Sequence, residues 1–405
     1  MPREALVRSQ VPTTGNRSLL RRINALGILD RLRDGPRTLG RLAGETGLSR
    51  TATEAVVTDL MQAGWTVAAP RDPEEATGQG RPAVRYAFAA DAGHVASIDI
   101  GAHHIAVVIA DLVGEVAQRL SQPVAEDLPA ADRVASAKDL LMTALDRAQL
   151  GAGELWAVGI GSPGAITDGR VVHFGGRGMP DWAGTDLGAA FRTDVDCPVL
   201  VEGDCALGAV AERWLGAAQE AADVVYVLCG NRTSAAVIAG GRLHRGAHGS
   251  AGRVGELAEL RWRELELEQY GASAYGPDRP SRQEIFDQAR AGHPAALRAV
   301  ADFAEVLGLG TAAMVLAVDP ELVVIGGTSA ADGDVFLDHV GEVLARRCPT
   351  VPAIVTSSLG GDAVGLGGVR LCLDRIDASL AAAVRSAEAF PAATPAAARF
   401  GAVAG

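Results

Sequence analysis

Apolar positions recur every three to four residues in three segments near the start of the chain. In "NRSLLRRINALGILDRL" (Asn16 to Leu32) the residues Leu19, Leu20, Ile23, Leu26, Ile28 and Leu29 fall largely on one helical face, and Asp34-Gly35 ends the run. Thr38 is placed to cap a short second helix carrying Leu39, Leu42 and Ala43, with Gly47 as its stop. A third segment starts at a Ser49 cap and runs to Gly64, with Ala52, Val56, Leu60 and Met61 facing inward. Helix, glycine turn and second capped helix make the helix-turn-helix pattern. Two strand-like runs, "WTVAAP" and "AVRYAFA", flank the polar loop "RDPEEATGQGRP", which outlines a wing. The pattern alone also fits a helical hairpin followed by a linker.

From Val95 the pattern changes to alternating strands and helices, which predicts an α/β body with a mixed sheet. Strands are expected at Val95 to Ile100, Ile105 to Ala110, Ala157 to Ile160, Val199 to Val201, Val224 to Cys229 and Leu322 to Ile325. Helices are expected at Ala131 to Leu150, Cys205 to Leu215, His293 to Val318 and Asp334 to Arg347. Two strand-loop-strand hairpins, "IDIGAHHIAVVIA" and "VVYVLCGNRTSAAVIAGGRLHRG", are spaced as they would be if two similar lobes each supplied a phosphate loop. The domains expected are therefore 1–90, 91–385 and an Ala/Pro-rich tail, 386–405, whose composition predicts disorder.

Charge adds an asymmetry. Residues 1–90 hold 13 Arg and no Lys against 9 acidic residues, while the whole chain carries a formal charge of -12. A mildly basic head on an acidic body suits a reader of DNA, because the body repels phosphate and confines contact to one face. The five cysteines are scattered without a C-x-x-C pair, which argues against a disulfide framework or zinc knuckle and for buried thiols. No uninterrupted apolar run has the length of a membrane span, and "MPREALVRSQ" lacks a secretory core, so a cytoplasmic protein without membrane contact is expected.

In order and spacing, "GETGLSRTATEAVVTDLMQAG", "GRPAVRYAF", "GIGSPGAITDGRVV", "MPDWAGTDLGAAF", "VLVEGDCALGAVAERW", "GRLHRGAHGSAGRVGEL", "LEQYGAS" and "VDPELVVIGG" resemble the ROK family of bacterial repressors and sugar kinases, in particular its repressor branch. The resemblance implies an N-terminal winged helix-turn-helix and a two-lobed actin-like ATPase (ribonuclease H-like) body. It also implies a transcriptional regulator, with an active ATP-dependent sugar kinase carrying a DNA-binding head as the rival reading.

Departures from the kinase pattern favour the regulator, whose body serves as effector sensor or as a purely structural dimerisation scaffold, while Asp99, Gly101 and Asp204 keep the kinase reading open. Where kinase members have Asp-x-Gly-Gly-Thr-Lys, this chain keeps Asp99 and Gly101 but has Ala102, His103 and His104, and the second loop carries Asn231 and Arg232 where small residues are usual. Phosphoryl transfer rests on positioning and electrostatics, so two altered phosphate clamps predict a body that no longer holds ATP. His103 and His104, adjacent on a strand, point to opposite faces and serve one ion poorly; exposed or packed imidazoles are expected, as for His244 and His248.

Asp204 occupies the place of the kinase base, Gly203 that of a sugar-contacting Asn, Arg253 and Glu256 the ends of the family's Glu-x-Gly-His, and Glu268 that of a further sugar-binding Glu. "LAELRWRELE" lacks the Cys-rich loop, so neither zinc nor ATP is expected as a cofactor. Asp204, Arg253, Glu256 and Glu268 are then the candidate ligand residues. The cleft they line either takes an altered, anionic ligand or is closed by an internal Arg253 pair.

For DNA, Ser49, Arg50, Thr51 and Thr53 lie in the first turns of the reading helix, with Glu54 expected in solvent, and Arg81 in the wing suits a narrow minor groove. A small head buries little DNA, so a homodimer or dimer of dimers on a palindromic operator is expected, with a sugar or sugar-derived effector.

Overall fold

A computed structural model of the chain describes residues 17–70, 83–230, 233–266, 275 and 280–401. The chain divides into two compact units, Met1–Gly93 with Ile376–Ala404, and His94–Arg375.

The first unit begins with α1 (Arg17–Arg33), β1 (Arg37–Thr38), α2 (Leu39–Thr46), α3 (Arg50–Gln62), β2 (Thr66–Ala68) and β3 (Arg85–Phe88). Thr38 caps α2, accepting from the Arg41 N–H, and Gly47 closes it at φ 71°, a left-handed conformation that a Cβ would strain. The strands form an antiparallel sheet in the order β1-β3-β2, with Thr66 opposite Phe88, so the two flanks of the expected wing are paired. Ile28, Leu29, Leu42, Val56, Leu60 and Trp65 are buried together with Phe88.

On α1 the inward stripe runs through Ala25, Ile28, Leu29 and Leu32 and continues back to Arg22. Leu20 and Ile23, expected on that face, lie off it and are 61% and 47% exposed. The buried Arg22 donates through Nε and Nη1 to the carbonyls of Val384 and Glu388, each at 3.0 Å. The Trp65 indole donates to the Pro391 carbonyl at 2.7 Å and stands edge-on to Phe390. The expectation of disorder from 386 onward differs from the structure: residues 387–401 belong to this unit, Pro395–Arg399 forms a 3-10 turn, and Ala397 and Ala398 are buried. Alanine's small side chain costs little entropy to order, and the carbonyls of Glu388 and Pro391 tie the segment to Arg22 and Trp65. Residues 402–405 lie outside the described residues.

The second unit repeats one plan twice. β4 (His94–Ile100), β5 (His104–Asp111) and β6 (Val116–Pro123) are antiparallel neighbours; α4 (Ala130–Arg147) follows, then β7 (Leu155–Ser162), the small hairpin β8 (Ala165–Thr167) and β9 (Arg170–His173), α5 (Leu187–Phe191) and β10 (Val199–Gly203). Their sheet runs β10-β7-β4-β5-β6, with β7 and β10 parallel to β4. The second lobe has α6 (Asp204–Trp214), β11 (Val224–Cys229), β12 (Thr233–Ala239), β13 (Arg242–His244), α7 (Trp262–Glu266), α8 (Arg282–Arg290), α9 (Pro294–Val318), β14 (Leu322–Gly326), α10 (Gly333–Arg347), β15 (Ala353–Thr356) and the first half of α11 (Ala363–Ser386), whose residues from Ile376 on belong to the first unit. Its sheet order, β13-β12-β11-β14-β15, mirrors the first: a meander of three, then two parallel strands.

Every expected strand and helix of the body is present within a few residues of its expected bounds. α9 is long and apolar enough to cross a bilayer, yet it lies largely in the lobe core, where Phe303 meets Phe286 and Phe336 at ring separations of 5.4 and 5.2 Å. All five cysteines are buried, and none forms a disulfide among the described residues.

Candidate functional site

The cleft of the body begins at the β4–β5 turn. β4 carries a buried Asp99 to the sheet end, and the Gly101 N–H closes the turn on the His104 carbonyl at 2.9 Å. His104 then folds back, and its Nε2 lies 3.0 Å from Asp99 Oδ2. That hydrogen bond holds the imidazole above its usual pKa against the opposing effect of burial, and the charges of Asp99 and Asp204 add to it. A Cβ on Gly101 would meet the His104 ring at 3.0 Å, so the turn is filled by its own side chain. His104 is thus more than a packed imidazole, while His103 is exposed.

Behind the turn sits Arg133, fully buried on α4. Its Nη1 donates to the Gly101 and Ala102 carbonyls at 2.7 and 3.0 Å, and its Nη2 donates to the Ala125 carbonyl at 2.8 Å. Sequence reasoning missed this residue. The signal was present, because Arg133 interrupts the apolar stripe of Ala130, Val134, Ala137 and Leu141. At the second loop Asn231 and Arg232 lie outside the described residues; beside them Arg282 donates to the Gly230 carbonyl at 3.0 Å and to Ser329 at 2.9 Å.

Two cavities share Asp204, Pro163 and Leu228. One, of about 150 Å³, is lined by Asp99, Gly101, His104 and Thr328; the other, of about 60 Å³, by Phe174, Arg253, Glu256 and Arg263. Asp204 opens α6, and its Oδ1 accepts from the Cys205 N–H at 2.7 Å. Gly203 takes the N-cap position with no side chain to offer, and the neighbouring Glu202 is ion-paired with Arg245.

Glu256 is enclosed by nitrogen groups: the Arg253 and Arg263 guanidiniums each reach it at 2.8 Å and the His173 imidazole at 3.4 Å. Burial pushes its carboxyl pKa up, but hydrogen bonds from the two guanidiniums outweigh that and hold it below the usual range. The internal Arg253 pair foreseen as one alternative is therefore formed. Arg263 and His173, which join it, were not singled out in the sequence; only the folding of β9 and α7 against the 3-10 turn Val254–Glu256 brings them there. Glu268 lies outside the described residues. His244 and His248 are exposed.

In the head, Ser49 caps α3 by accepting from the Ala52 N–H at 3.2 Å. Arg50, Thr51 and Glu54 are exposed, and Arg50 has no side-chain partner among the described residues. Thr53 requires a correction as a DNA contact: it is fully buried, and its hydroxyl donates to the Ser49 carbonyl at 3.1 Å. It belongs to the inward stripe of Val56, Val57 and Leu60. The exposed stripe continues instead through Ala55 and Thr58, which the 3.6-residue period from Arg50 and Thr51 would have found. Arg81 lies outside the described residues.

Comparison with known proteins agrees with this architecture. The chain is 26% identical over 373 residues to a xylose repressor of Caldicellulosiruptor bescii, covering 82% of this chain and 90% of that one, and 23% identical over 371 residues to the xylose repressor of Bacillus subtilis, covering 85% and 92%. A solved ROK family transcriptional regulator, a homolog of E. coli Mlc, shares the fold with a TM-score of 0.66 at 19% identity, over 88% of this chain and 97% of that one. A ROK hexokinase from Thermus thermophilus matches with a TM-score of 0.57 at 25% identity, over 68% and 96%. The model of the ROK family matches residues 95–259 and 267–375, and the chain belongs to that family.

Proposed function

We propose that this protein is a DNA-binding transcriptional regulator, a repressor, whose kinase-like body senses a sugar or sugar-derived effector and no longer transfers phosphate. The observation that carries the reading is the first phosphate turn: His104, in the place of the kinases' Lys, is bonded to Asp99 and fills the space over Gly101 where a nucleotide phosphate would approach. An imidazole held at this turn supports a body that does not use ATP. The segment from Leu257 to Leu265 has no Cys or His to offer zinc. Similarity over most of both chains to proteins named xylose repressors supports the regulatory role.

In this reading Arg50 and Thr51 enter the major groove, Ser49 combines capping with phosphate contact, and Arg81 lies in an A·T-rich minor groove. Two heads on a homodimer or a dimer of dimers read a roughly palindromic operator, and the protein works in the cytoplasm without membrane contact. Asp204, Arg253, Glu256 and Glu268 face the effector. The test pairs two measurements on the full-length protein. Footprinting of DNA flanking its own gene should show saturable protection of a palindromic segment, altered by a sugar, and Arg81→Ala should weaken the protection beside the half-site. A coupled assay should show no sugar-dependent ADP formation. Saturable ATP turnover with a hexose would replace this reading by that of an active sugar kinase, for which the retained Asp204 speaks.

A further inference from the structure

A third concavity, whose lining shares no residue with the two cavities of the cleft, lies in the second lobe. It measures about 560 Å³ and is bounded by the last turn of α6, the strand β13 at the sheet edge and the middle of α11. Four arginines line it, Arg213, Arg242, Arg245 and Arg370, against a single lining carboxylate, Asp374. Arg370 pairs with Asp374 and lies 5.7 Å from the Trp214 ring; Arg245 pairs with Glu202. Among the described residues Arg213 reaches a neutral carbonyl, that of Gln219, and its Nε is buried with no hydrogen-bond partner. Arg242 is exposed, with no side-chain partner among the described residues. Arg213 and Arg242 thus add positive charge beside the Arg370–Asp374 and Arg245–Glu202 pairs, on a body whose formal charge is strongly negative.

An excess of positive charge inside a concavity of an acidic surface focuses anions there. Guanidinium forks match the oxygens of a phosphate group, and the volume falls in the range of about 300–1,000 Å³ typical of small-molecule pockets. Between the arginines the wall is apolar, formed by Ile238, Leu243 and the indole of Trp214, which suits the face of a sugar or a base. We propose that this groove binds a small phosphate ester, a phosphorylated sugar or a nucleotide, as a second ligand of the protein. The site reaches the cleft through one rigid element, because α6 starts at Asp204 in the cleft and ends at Arg213 and Trp214 in the groove.

Trp65, Trp156, Trp182 and Trp262 are fully buried, whereas Trp214 is half-buried, so its emission reports on the groove. Full-length protein is titrated with glucose 6-phosphate and with AMP, and with glucose, adenosine and sulfate as controls. At least one ester should give a saturable change at concentrations where the controls give none, and which ester responds distinguishes a sugar from a nucleoside body. Arg242→Ala, at an exposed edge position, should weaken binding roughly tenfold or more, and Arg242→Lys should weaken it less. Trp214→Phe should abolish the optical signal while thermal protection by the ester persists. No saturable response to either ester, an equal response to sulfate, occupancy by a short DNA duplex in place of both, or affinity unchanged in Arg242→Ala would overturn the proposal.

Discussion

On the reading helix Arg50 projects into solvent with no partner among the described residues, whereas in the cleft the chain answers its own charges: Asp99 is met by His104, and Glu256 by Arg253 and Arg263. On the proposed function, the difference is that between a charged side chain still open to phosphate and a cleft in which the need to hold a nucleotide phosphate is gone. A half-buried cation meant for an incoming phosphate is tolerable only if phosphate comes, since unmatched charge in a cleft is costly. Here the matching charge is supplied internally, and the phosphate turn is tied down from behind by Arg133. An exposed arginine on a helix carries no such penalty and can wait for DNA.

The largest effect expected from breaking this contrast is at Arg133. Arg133→Leu leaves the carbonyls of Gly101, Ala102 and Ala125 buried without their donor and should cost about 3–5 kcal/mol. Chemical denaturation of the full chain should show the loss as an earlier unfolding midpoint of the body. A stability within about 0.5 kcal/mol of the parent would show that the turn holds itself.

Next in size is the contrast within α3. Arg50→Ala should reduce operator affinity by about ten- to a hundredfold, the equivalent of roughly 1–3 kcal/mol for a lost base or phosphate contact. Thr53→Val, which removes only a buried hydroxyl bonded to the Ser49 carbonyl, should lower stability by about 1 kcal/mol and leave affinity within about twofold. Equal losses of DNA binding in the two variants would mean that the helix is presented differently from the way its exposed stripe indicates.

How much of this was legible in the sequence follows from the range of the forces involved. The Thr38 and Ser49 caps and the Gly47 stop were readable because each is settled within four residues. β4, β5, β11 and β14 were readable because strands buried in a sheet interior are continuous apolar runs. β6 was not, since it sits at the sheet edge with every second residue in solvent, and "VAQRLSQP" carries little apolar signal. Thr53 was misread because its hydroxyl suggested DNA contact, although its spacing from Val56, Val57 and Leu60 placed it inside. Arg133 was signalled by the apolar stripe it interrupts, but its partners, like those of Arg263 and His173, are found through contacts that no local pattern encodes. The tail illustrates the same limit: its composition says how little apolar surface it has, but not that Arg22 and Trp65 wait for its carbonyls.

The smallest expected effect, and the one closest to the cleft's chemistry, is the titration of His104. Because the Asp99 hydrogen bond raises the imidazole pKa in the folded protein above the ordinary value of 6.5, the stabilisation it gives is complete below that value and fades as pH rises through the folded-state pKa. The ring is about half exposed, so water screens the pair and only a small stability slope is expected. The sharper measurement is the His104 ring resonance by NMR: its midpoint should lie above 6.5 and fall in Asp99→Asn, which keeps the shape and removes the charge. If both proteins titrate at the ordinary value, the ion pair is not what closes the turn. The contrast with the head would then rest on Arg133 and Glu256, because those groups are held by hydrogen bonds that do not depend on a proton in the neutral range.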